Sequence, residues 1–236
     1  MVKGDSTCER PALVFVHGAF HRSWVWDAVL ERLAPSGLQT RTVDLPSVAT
    51  GGRPRFGMRD DAEVIREILS QMQQDIVVVA HSYGAIPATQ VAHQVPAVRH
   101  LVYVAGFQLD MGQSLLSSVG GEIPSWWIVN EHKVIADQTE DVFYNDLDPR
   151  VIVWAQSKLL PTSFASFTEP LSATAWRHVP STYVICERDN AIPLRAQEVM
   201  AQRGRWTFRL PSSHTPMLSR PAELAEILEN VASPTP

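Results

Sequence analysis

Short, β-branched apolar runs alternate along this sequence with longer amphipathic stretches. Most of the runs are nearly continuous Val, Ile and Leu, which is typical of strands buried on both faces of a parallel sheet. Six segments show the pattern: 13–18, 39–46, 75–82, 100–106, 181–189 and 206–211. Apolar residues at helical spacing over 58–74 and 221–232 predict helices, the second with Pro221 in its first turn. This alternation predicts an α/β fold: a mostly parallel, doubly wound sheet of about six strands with helices on both faces.

The alternation is interrupted once, between the runs at 100–106 and 181–189. Residues 107–175 contain prolines, serines and many aromatic side chains but no clear strand pattern. A stretch of this length without regular strands is usually functional. We therefore expect one domain over residues 1–236, with 107–175 inserted into it as a helical cap, or lid, on the sheet.

Composition excludes several classes of protein. The chain has 236 residues, 45% of them hydrophobic, which fits a packed globular domain. A net charge of −5 argues against a general nucleic-acid binder. There is no apolar run of membrane-spanning length, and the first eleven residues lack the apolar stretch of a secretory signal. Two cysteines, Cys8 and Cys186, are too few for a disulfide framework and suit a reducing compartment. These features favour a cytoplasmic protein without a membrane partner.

A serine stands at a sharp predicted turn between a strand and a helix. Ser82 lies in the segment Ala80-His81-Ser82-Tyr83-Gly84, directly after the apolar run at 75–82 and before a helix-like stretch. A turn this tight strains the backbone, is tolerated only with small flanking residues and lifts the hydroxyl clear of the sheet. A string of this kind is common in proteins, but its place after a buried strand makes Ser82 the candidate nucleophile.

A serine nucleophile needs a base and an acid that orients the base. His214 follows the last predicted strand and precedes the last helix, so it can reach over the carboxyl edge of the sheet. Asp189 ends the strand before it, which gives the chain order serine, acid, histidine. Asp110, just beyond the strand at 100–106, is the alternative acid, and either aspartate could instead be a helix N-cap.

Acyl transfer also needs donors for the oxyanion that develops on the substrate. The candidates are the backbone amides of Tyr83, which follows the serine, and of Ala19, in the turn after the first strand. His17 and His21 have the spacing of a metal-binding pair on a helix, but they lie in a strand and a turn, with no third ligand nearby in the sequence. We therefore expect neither a metal nor another cofactor.

These motifs resemble the α/β-hydrolase superfamily over nearly the whole chain, from LVFVHGAFHRSWVW through VVVAHSYGA to SHTPMLSRPAEL. Within it, HGAFHRSWVWDAVLERL, YVICERDNAIP and the C-terminal tail look like the branch of plant methylesterases and hydroxynitrile lyases and its bacterial esterase relatives. The resemblance implies Ser82 as nucleophile, His214 as base, Asp189 as acid and Ala19 and Tyr83 as the oxyanion hole.

Two positions depart from the pattern of that branch's lyases. Those enzymes carry threonine after the first strand's histidine and lysine after the catalytic histidine, whereas this chain has Gly18 and Thr215. Without the lysine there is no cation to hold cyanide, which favours ester hydrolysis. Ala80, in place of the first glycine of the serine motif, is tolerated in hydrolases of this type.

The sequence thus predicts a serine esterase that acts on a small apolar or aromatic ester through an acyl-enzyme. Aromatic residues of the expected pocket are Phe20, Trp126, Trp127 and Trp154, with Phe143 and Phe164 also in the cap. The same rings could instead form the cap's own core. Three alternatives remain open: a carbon–carbon hydrolase, a ligand receptor and a biosynthetic cyclase or lyase of the same fold. A homodimer is also left open.

Overall fold

The central sheet of the computed structural model, which describes residues 10–49 and 56–233, contains six parallel strands in the order β2-β1-β3-β4-β8-β9. Its strands are β1 (Ala12–Val16), β2 (Thr40–Val43), β3 (Ile76–His81), β4 (Val98–Val104), β8 (Ser181–Cys186) and β9 (Trp206–Leu210). Each lies within or overlaps one of the six apolar runs, so the predicted sheet is confirmed. Because the strands are parallel, their carboxyl ends, where His81 and Cys186 lie, meet at one edge.

Helices cover both faces of this sheet, as the alternation predicts. Along β1, Val14 and Val16 belong to one apolar core, and Leu13 and Phe15 belong to the other. The first core is closed by α2 (Met58–Ser70), α3 (Ala85–Val91) and α8 (Leu194–Ala201). The second is closed by α1 (Asp27–Leu33), α9 (Pro216–Ser219) and α10 (Pro221–Ala232). Alternate side chains of each strand therefore fill different cores.

The two predicted helices begin where the sequence places them. α10 has Pro221 in its first turn, where the missing N–H costs nothing because it would have no partner within the helix. α2 begins at Met58, and the Asp60 carboxylate accepts a hydrogen bond of 2.7 Å from the amide of Gly57. This helix ends at Ser70, four residues earlier than expected.

The insertion at 107–175 contains strands as well as helices. The helices are α4 (Leu115–Ser118), α5 (Thr139–Phe143), α6 (Pro149–Gln156) and α7 (Phe164–Thr168). The strands are β5 (Trp127–Asn130), β6 (Lys133–Ala136) and β7 (Thr162–Ser163), which form a small antiparallel sheet in the order β5-β6-β7. The prediction of no clear strand in this insertion was wrong, since β5 and β6 form a hairpin. The turn of the hairpin carries no glycine or proline that would mark it in the sequence.

The insertion is fastened to the central domain along β7. The Ser163 amide donates to the Ser47 carbonyl (2.9 Å), and Thr162 forms an isolated bridge with Val48. The segment after β2 therefore continues the small sheet of the insertion. The extent of 107–175 as a subdomain stays a prediction.

No helix among residues 10–49 and 56–233 is long and apolar enough to cross a membrane. Cys186 is buried with a free thiol. Cys8 and most of the N-terminal segment considered as a signal lie outside the described residues.

Candidate active site

Ser82 lies at the turn between β3 and α3 with a left-handed backbone, φ +50°. Such a φ is strained for a residue with a side chain and is sustained only where the surroundings enforce it. Gly84 shows one part of that enforcement, since a Cβ added there would lie 2.2 Å from the carbonyl oxygen of His17. The absence of a side chain at 84 lets the turn pack directly against the end of β1, as the sequence motif predicts.

The imidazole of His214 connects Ser82 to Asp189. Its Nε2 lies 2.9 Å from Ser82 Oγ, and its Nδ1 lies 2.7 Å from Asp189 Oδ2. An ionised carboxylate only accepts hydrogen bonds, so Nδ1 carries the proton and Nε2 accepts from the serine hydroxyl. In this tautomer Nε2 is free to take the proton of Ser82.

Asp189 is held by donors from its own loop and from α8. Its Oδ1 accepts from the amides of Ala191 (2.7 Å) and Ile192 (2.9 Å), and its Oδ2 accepts from Gln197 Nε2 (3.1 Å). These bonds fix the plane of the carboxylate, so Oδ2 faces the imidazole. The carboxylate therefore has the position that the sequence assigned to the orienting acid.

The alternative acid, Asp110, has a different partner. Its carboxylate lies 2.6 Å from the Arg177 guanidinium in an exposed ion pair, and this hydrogen bond lowers its pKa. The structure thus brings Ser82, His214 and Asp189 together and leaves Asp110 at the surface.

The turn after β1 approaches Ser82 from the other side. Ala19 and Tyr83 line the same cavity as Ser82 and His214. Phe20, next to Ala19, also has a left-handed backbone, φ +65°. Its amide donates to Thr162 Oγ1 (2.8 Å) and its carbonyl accepts from the amide of Leu160 (2.9 Å), so two residues of the insertion hold this turn.

Tyr83 is anchored by a buried carboxyl group. Its hydroxyl donates to Asp61 Oδ2, which also accepts from Ser47 Oγ (2.6 Å), while Asp61 Oδ1 accepts from the Ser47 amide (2.9 Å). Burial outweighs these bonds and raises the pKa of Asp61 to about 6. Buried polar side chains therefore hold both segments that border the cavity: Thr162 holds the turn at Phe20, and Asp61 holds Tyr83. The sequence alone predicts neither contact.

Buried histidines surround the site without forming a metal centre. His17 bonds the Gly18 carbonyl and the Leu45 amide, and His21 bonds the Ala19 carbonyl and the Tyr144 hydroxyl, so both nitrogens of each ring have protein partners. Burial lowers the pKa of His17 to about 4 and that of His21 to about 3. Within the described parts of the chain, no three His, Cys, Asp or Glu side chains are grouped to hold a metal ion.

The cavity beside Ser82 (the inner cavity) measures about 40 Å³. Three of the four predicted pocket residues, Phe20, Trp126 and Trp127, line it. The fourth, Trp154, does not: it is 41% exposed on α6, packs edge-on against Trp24 (ring centroids 5.1 Å apart) and lies under the Lys158 ammonium. Helical periodicity turns Trp154 away from the cavity. Phe164 does not line it either.

Several further residues line the inner cavity. They are His21, Phe107, Leu115, Val119, Pro124, Phe143, Phe167, Ala191 and Ile192. The sequence also predicts Phe143 in the pocket. It offers His21 only as a member of a possible metal-binding pair. The other positions have no sequence signal beyond being apolar, since tertiary packing alone brings them to the serine.

The fold and this site define a hydrolase, and comparison with known proteins agrees. Residues 13–227 match the Alpha/beta hydrolase family, and the chain belongs to it. It is 30% identical to the alpha/beta hydrolase nvfD of Aspergillus novofumigatus, over 94% of this chain and 97% of that protein. It is 26% identical to Methylesterase 7 of Arabidopsis thaliana, over 93% and 95% of the two chains.

A solved structure shares the fold. The pyrethroid hydrolase from Sphingobium faniae JZ-2 superposes with a TM-score of 0.80 at 22% identity, over 94% of this chain and 97% of that one. This chain is also 27% identical to the carbendazim hydrolyzing esterase of Nocardioides, over 91% of its length and 97% of that protein, so the resemblance to plant methylesterases and bacterial esterases inferred from sequence motifs is confirmed.

Proposed function

We propose that this protein is a carboxylic ester hydrolase that works through an acyl-enzyme on Ser82. The observation that carries the proposal is the continuous hydrogen-bonded chain from Ser82 Oγ through His214 to Asp189, with its serine end at the inner cavity. Relatives that are named as esterases support the same class.

In the first half-reaction His214 Nε2 takes the proton of Ser82 as the oxygen attacks the ester carbonyl. Asp189 stabilises the imidazolium that forms. The amides of Ala19 and Tyr83 donate to the tetrahedral oxyanion, each worth about 3–4 kcal/mol of transition-state stabilisation. The intermediate collapses to the acyl-enzyme, and His214 gives its proton to the departing alkoxide, which leaves as the alcohol.

In the second half-reaction a water molecule repeats these steps on the acyl-enzyme. His214 takes a proton from the water as its oxygen attacks the acyl carbon. Collapse of the new intermediate returns the proton to Ser82 and releases the carboxylic acid. No cofactor or metal enters either half-reaction.

The substrate's reacting end is small and apolar or aromatic. Phe20, Trp126, Trp127, Phe143 and Phe167 line the inner cavity, and their rings contact one another, with Trp127 and Phe167 4.5 Å apart. Such a wall favours apolar groups. At about 40 Å³ the cavity is far smaller than a usual ligand pocket of about 300–1,000 Å³, so it favours a small group.

Cyanohydrin cleavage is disfavoured by the residue after His214. The hydroxyl of Thr215 donates to the carbonyl of Phe143 (2.9 Å), so this position supplies neither a cation nor a free donor. Experiment is needed to distinguish an esterase from a carbon–carbon hydrolase and from the non-hydrolytic proteins of this fold.

The test is labelling by a serine-directed fluorophosphonate combined with turnover of p-nitrophenyl acetate. We expect both in the native protein, and a loss of at least about 1,000-fold in turnover with no labelling in Ser82→Ala. Ser157→Ala, at an exposed site at the end of α6, is the matched control and retains both. A folded native protein that takes no label has no active nucleophile, and labelling without ester turnover indicates one of the alternative functions.

A cytoplasmic location and the homodimer stay predictions. The buried, unpaired thiol of Cys186 is compatible with a reducing compartment. Fractionation of the source cells and light scattering of the purified protein test the two predictions separately.

A further inference from the structure

A second, larger cavity lies beside the inner one. This outer cavity measures about 600 Å³, within the range of small-molecule binding sites. It is lined mostly by apolar side chains, together with Arg195 and Arg203. Four of its lining residues, Phe107, Val119, Ala191 and Ile192, also line the inner cavity. One layer of side chains therefore separates the outer cavity from the space beside Ser82.

The sizes of the two cavities fit an ester with unequal arms. The inner cavity, at about 40 Å³, is much smaller than the outer one, at about 600 Å³, so the longer arm of an ester fits better in the outer cavity. The longer arm therefore extends out of the inner cavity, and the outer cavity lies directly beyond the shared residues. Of the four shared residues Val119 is the most exposed, at 38%, and exposed side chains change rotamer readily.

The outer cavity also has a charge preference. Among the described residues that line it, Arg195 and Arg203 are basic and none is acidic. The Arg203 guanidinium stacks on Trp176 (5.3 Å to the ring centroid) and donates to the Gln108 carbonyl. The side chain of Arg195, near the start of α8, is exposed and makes no hydrogen bond or ion pair within residues 10–49 and 56–233. Its charge is therefore available to a ligand.

We propose that the outer cavity is a second substrate subsite, which holds a long apolar arm of the ester whose far end is neutral or anionic and not cationic. The proposal rests on the ester hydrolysis proposed above. The short arm stays in the inner cavity beside Ser82. The long arm passes between Val119 and Ile192 and ends near Arg195. Esters with two long arms are then excluded.

The first test compares four simple esters by pH-stat titration. We expect methyl octanoate and octyl acetate to be turned over with kcat/KM at least about tenfold above methyl acetate, because each buries one long arm. Butyl octanoate, with two long arms, is expected to be at least about tenfold poorer than methyl octanoate. Equal rates for all four, or a best rate for butyl octanoate, would overturn the proposal.

The second test narrows the way between the cavities. Val119→Trp is expected to lower the ratio of kcat/KM for methyl octanoate over methyl acetate by about tenfold. Val153→Trp is the matched control, since Val153 is 67% exposed on α6 and lines neither cavity. An unchanged ratio in Val119→Trp, in a variant with native circular dichroism, contradicts the proposal.

The third test concerns charge. Monomethyl suberate and methyl 8-aminooctanoate have long arms of similar length that end in opposite charges. We expect the native protein to prefer the anionic ester by about threefold or more, and Arg195→Glu to abolish or reverse the preference. Arg150→Glu, at an exposed arginine on α6, is the control. A preference for the cationic ester, or one that Arg195→Glu leaves intact, overturns the charge assignment.

These outcomes are distinguishable from failure of the proposed function. If no ester is hydrolysed, or if hydrolysis survives Ser82→Ala, the esterase mechanism itself fails. If hydrolysis depends on Ser82 but has no preference for one long arm, only the second subsite fails.

Discussion

The hydroxyl of Thr162, in β7 of the insertion, accepts a hydrogen bond of 2.8 Å from the backbone amide of Phe20, 142 residues earlier in the chain. Phe20 has φ +65°, and the amide of Ala19 precedes it directly. The Phe20 amide is occupied by this bond, and the amide that we propose for the oxyanion hole is that of the preceding residue, Ala19. The insertion therefore positions one side of the proposed oxyanion hole as well as covering the cavity.

Thr162→Val removes this acceptor while keeping the shape of the side chain. We expect kcat for p-nitrophenyl acetate to fall about tenfold with KM nearly unchanged, because the displaced Ala19 amide acts on the transition state. Thr162→Ser, which keeps the hydroxyl, is expected to restore kcat to within about twofold of the native value. A native kcat in Thr162→Val would show that Phe20 is held without Thr162.

Gln197 supports the acid in a comparable way. Its side chain is buried, accepts from the Cys186 amide (2.9 Å) and donates to the Ile192 carbonyl (2.9 Å) and to Asp189 Oδ2 (3.1 Å). Gln197→Met leaves the Cys186 amide and the Ile192 carbonyl unpaired and removes one of the two hydrogen bonds to Asp189 Oδ2. We therefore expect urea titration to show a loss of about 2–3 kcal/mol in the free energy of unfolding. Fluorophosphonate labelling is expected to slow about tenfold because Asp189 is less well oriented.

The control for this change is Gln202→Met, at an exposed position just beyond α8. It is expected to alter the free energy of unfolding by less than about 0.5 kcal/mol. If Gln197→Met labels as fast as the native protein at equal folded fraction, Gln197 has a structural role only.

Gly84→Ala tests the close approach of the serine turn to β1. The new Cβ would lie 2.2 Å from the His17 carbonyl oxygen, a backbone atom that cannot rotate away. We expect a loss of about 1–3 kcal/mol in the free energy of unfolding, measured with urea, since α3 must shift from the sheet. Gly204→Ala, whose Cβ would lie 3.3 Å or more from its neighbours, is expected to cost less than about 1 kcal/mol. Equal stability of the two variants would contradict the packing described here.

Strands β1, β3 and β8 could be predicted from the sequence because they are buried along their whole length, so their apolar runs are nearly continuous. The hairpin β5-β6 could not, because Ile128, Val129 and Ile135 point to solvent and blur the alternation, and Glu131 adopts φ +52° in the turn without a glycine. The ends of the strands are predicted less accurately. The run at 181–189, for example, extends three residues beyond Cys186, the last residue of β8.

The residues at the site also divide into those that could be predicted from the sequence and those that could not. The positions of Ser82, Asp189 and His214 after β3, β8 and β9 follow from chain order, since parallel strands deliver their carboxyl ends to one edge. Trp154 was assigned to the pocket from composition alone, which carries no direction. Thr162, Asp61 and Gln197 carried no signal, because each acts through contacts between segments far apart in the sequence.

The pH dependence of stability reflects groups buried without charge. His17 and His21 have pKa values lowered by burial to about 4 and about 3, against 6.5 in an unfolded chain. A depressed histidine pKa means that the unfolded state binds more protons below pH 6.5, so stability is lost as the pH falls. Between pH 7 and pH 5 these two groups together remove about 4 kcal/mol from the free energy of unfolding.

Asp61 acts in the opposite direction. Its pKa, raised by burial from 3.8 to about 6, makes the folded state bind the extra proton, so stability is gained as the pH falls from about 7 toward 4. Between pH 7 and pH 5 this gain is about 1 kcal/mol. Asp61→Asn abolishes this gain because the amide does not titrate. The loss of stability caused by the two histidines is then no longer offset.

We therefore expect urea titrations at pH 7 and pH 5 to show a decrease in unfolding free energy that is about 1 kcal/mol larger in Asp61→Asn than in the native protein. The comparison between the two pH values cancels the constant cost of replacing the carboxylate beside Tyr83 and Ser47. Asp137→Asn, at an exposed aspartate just after β6 that does not act on Asp61, is the control and should keep the native difference. An equal decrease in Asp61→Asn and the native protein would mean that Asp61 is already ionised at pH 5 and that its bonds to Ser47 and Tyr83 outweigh its burial.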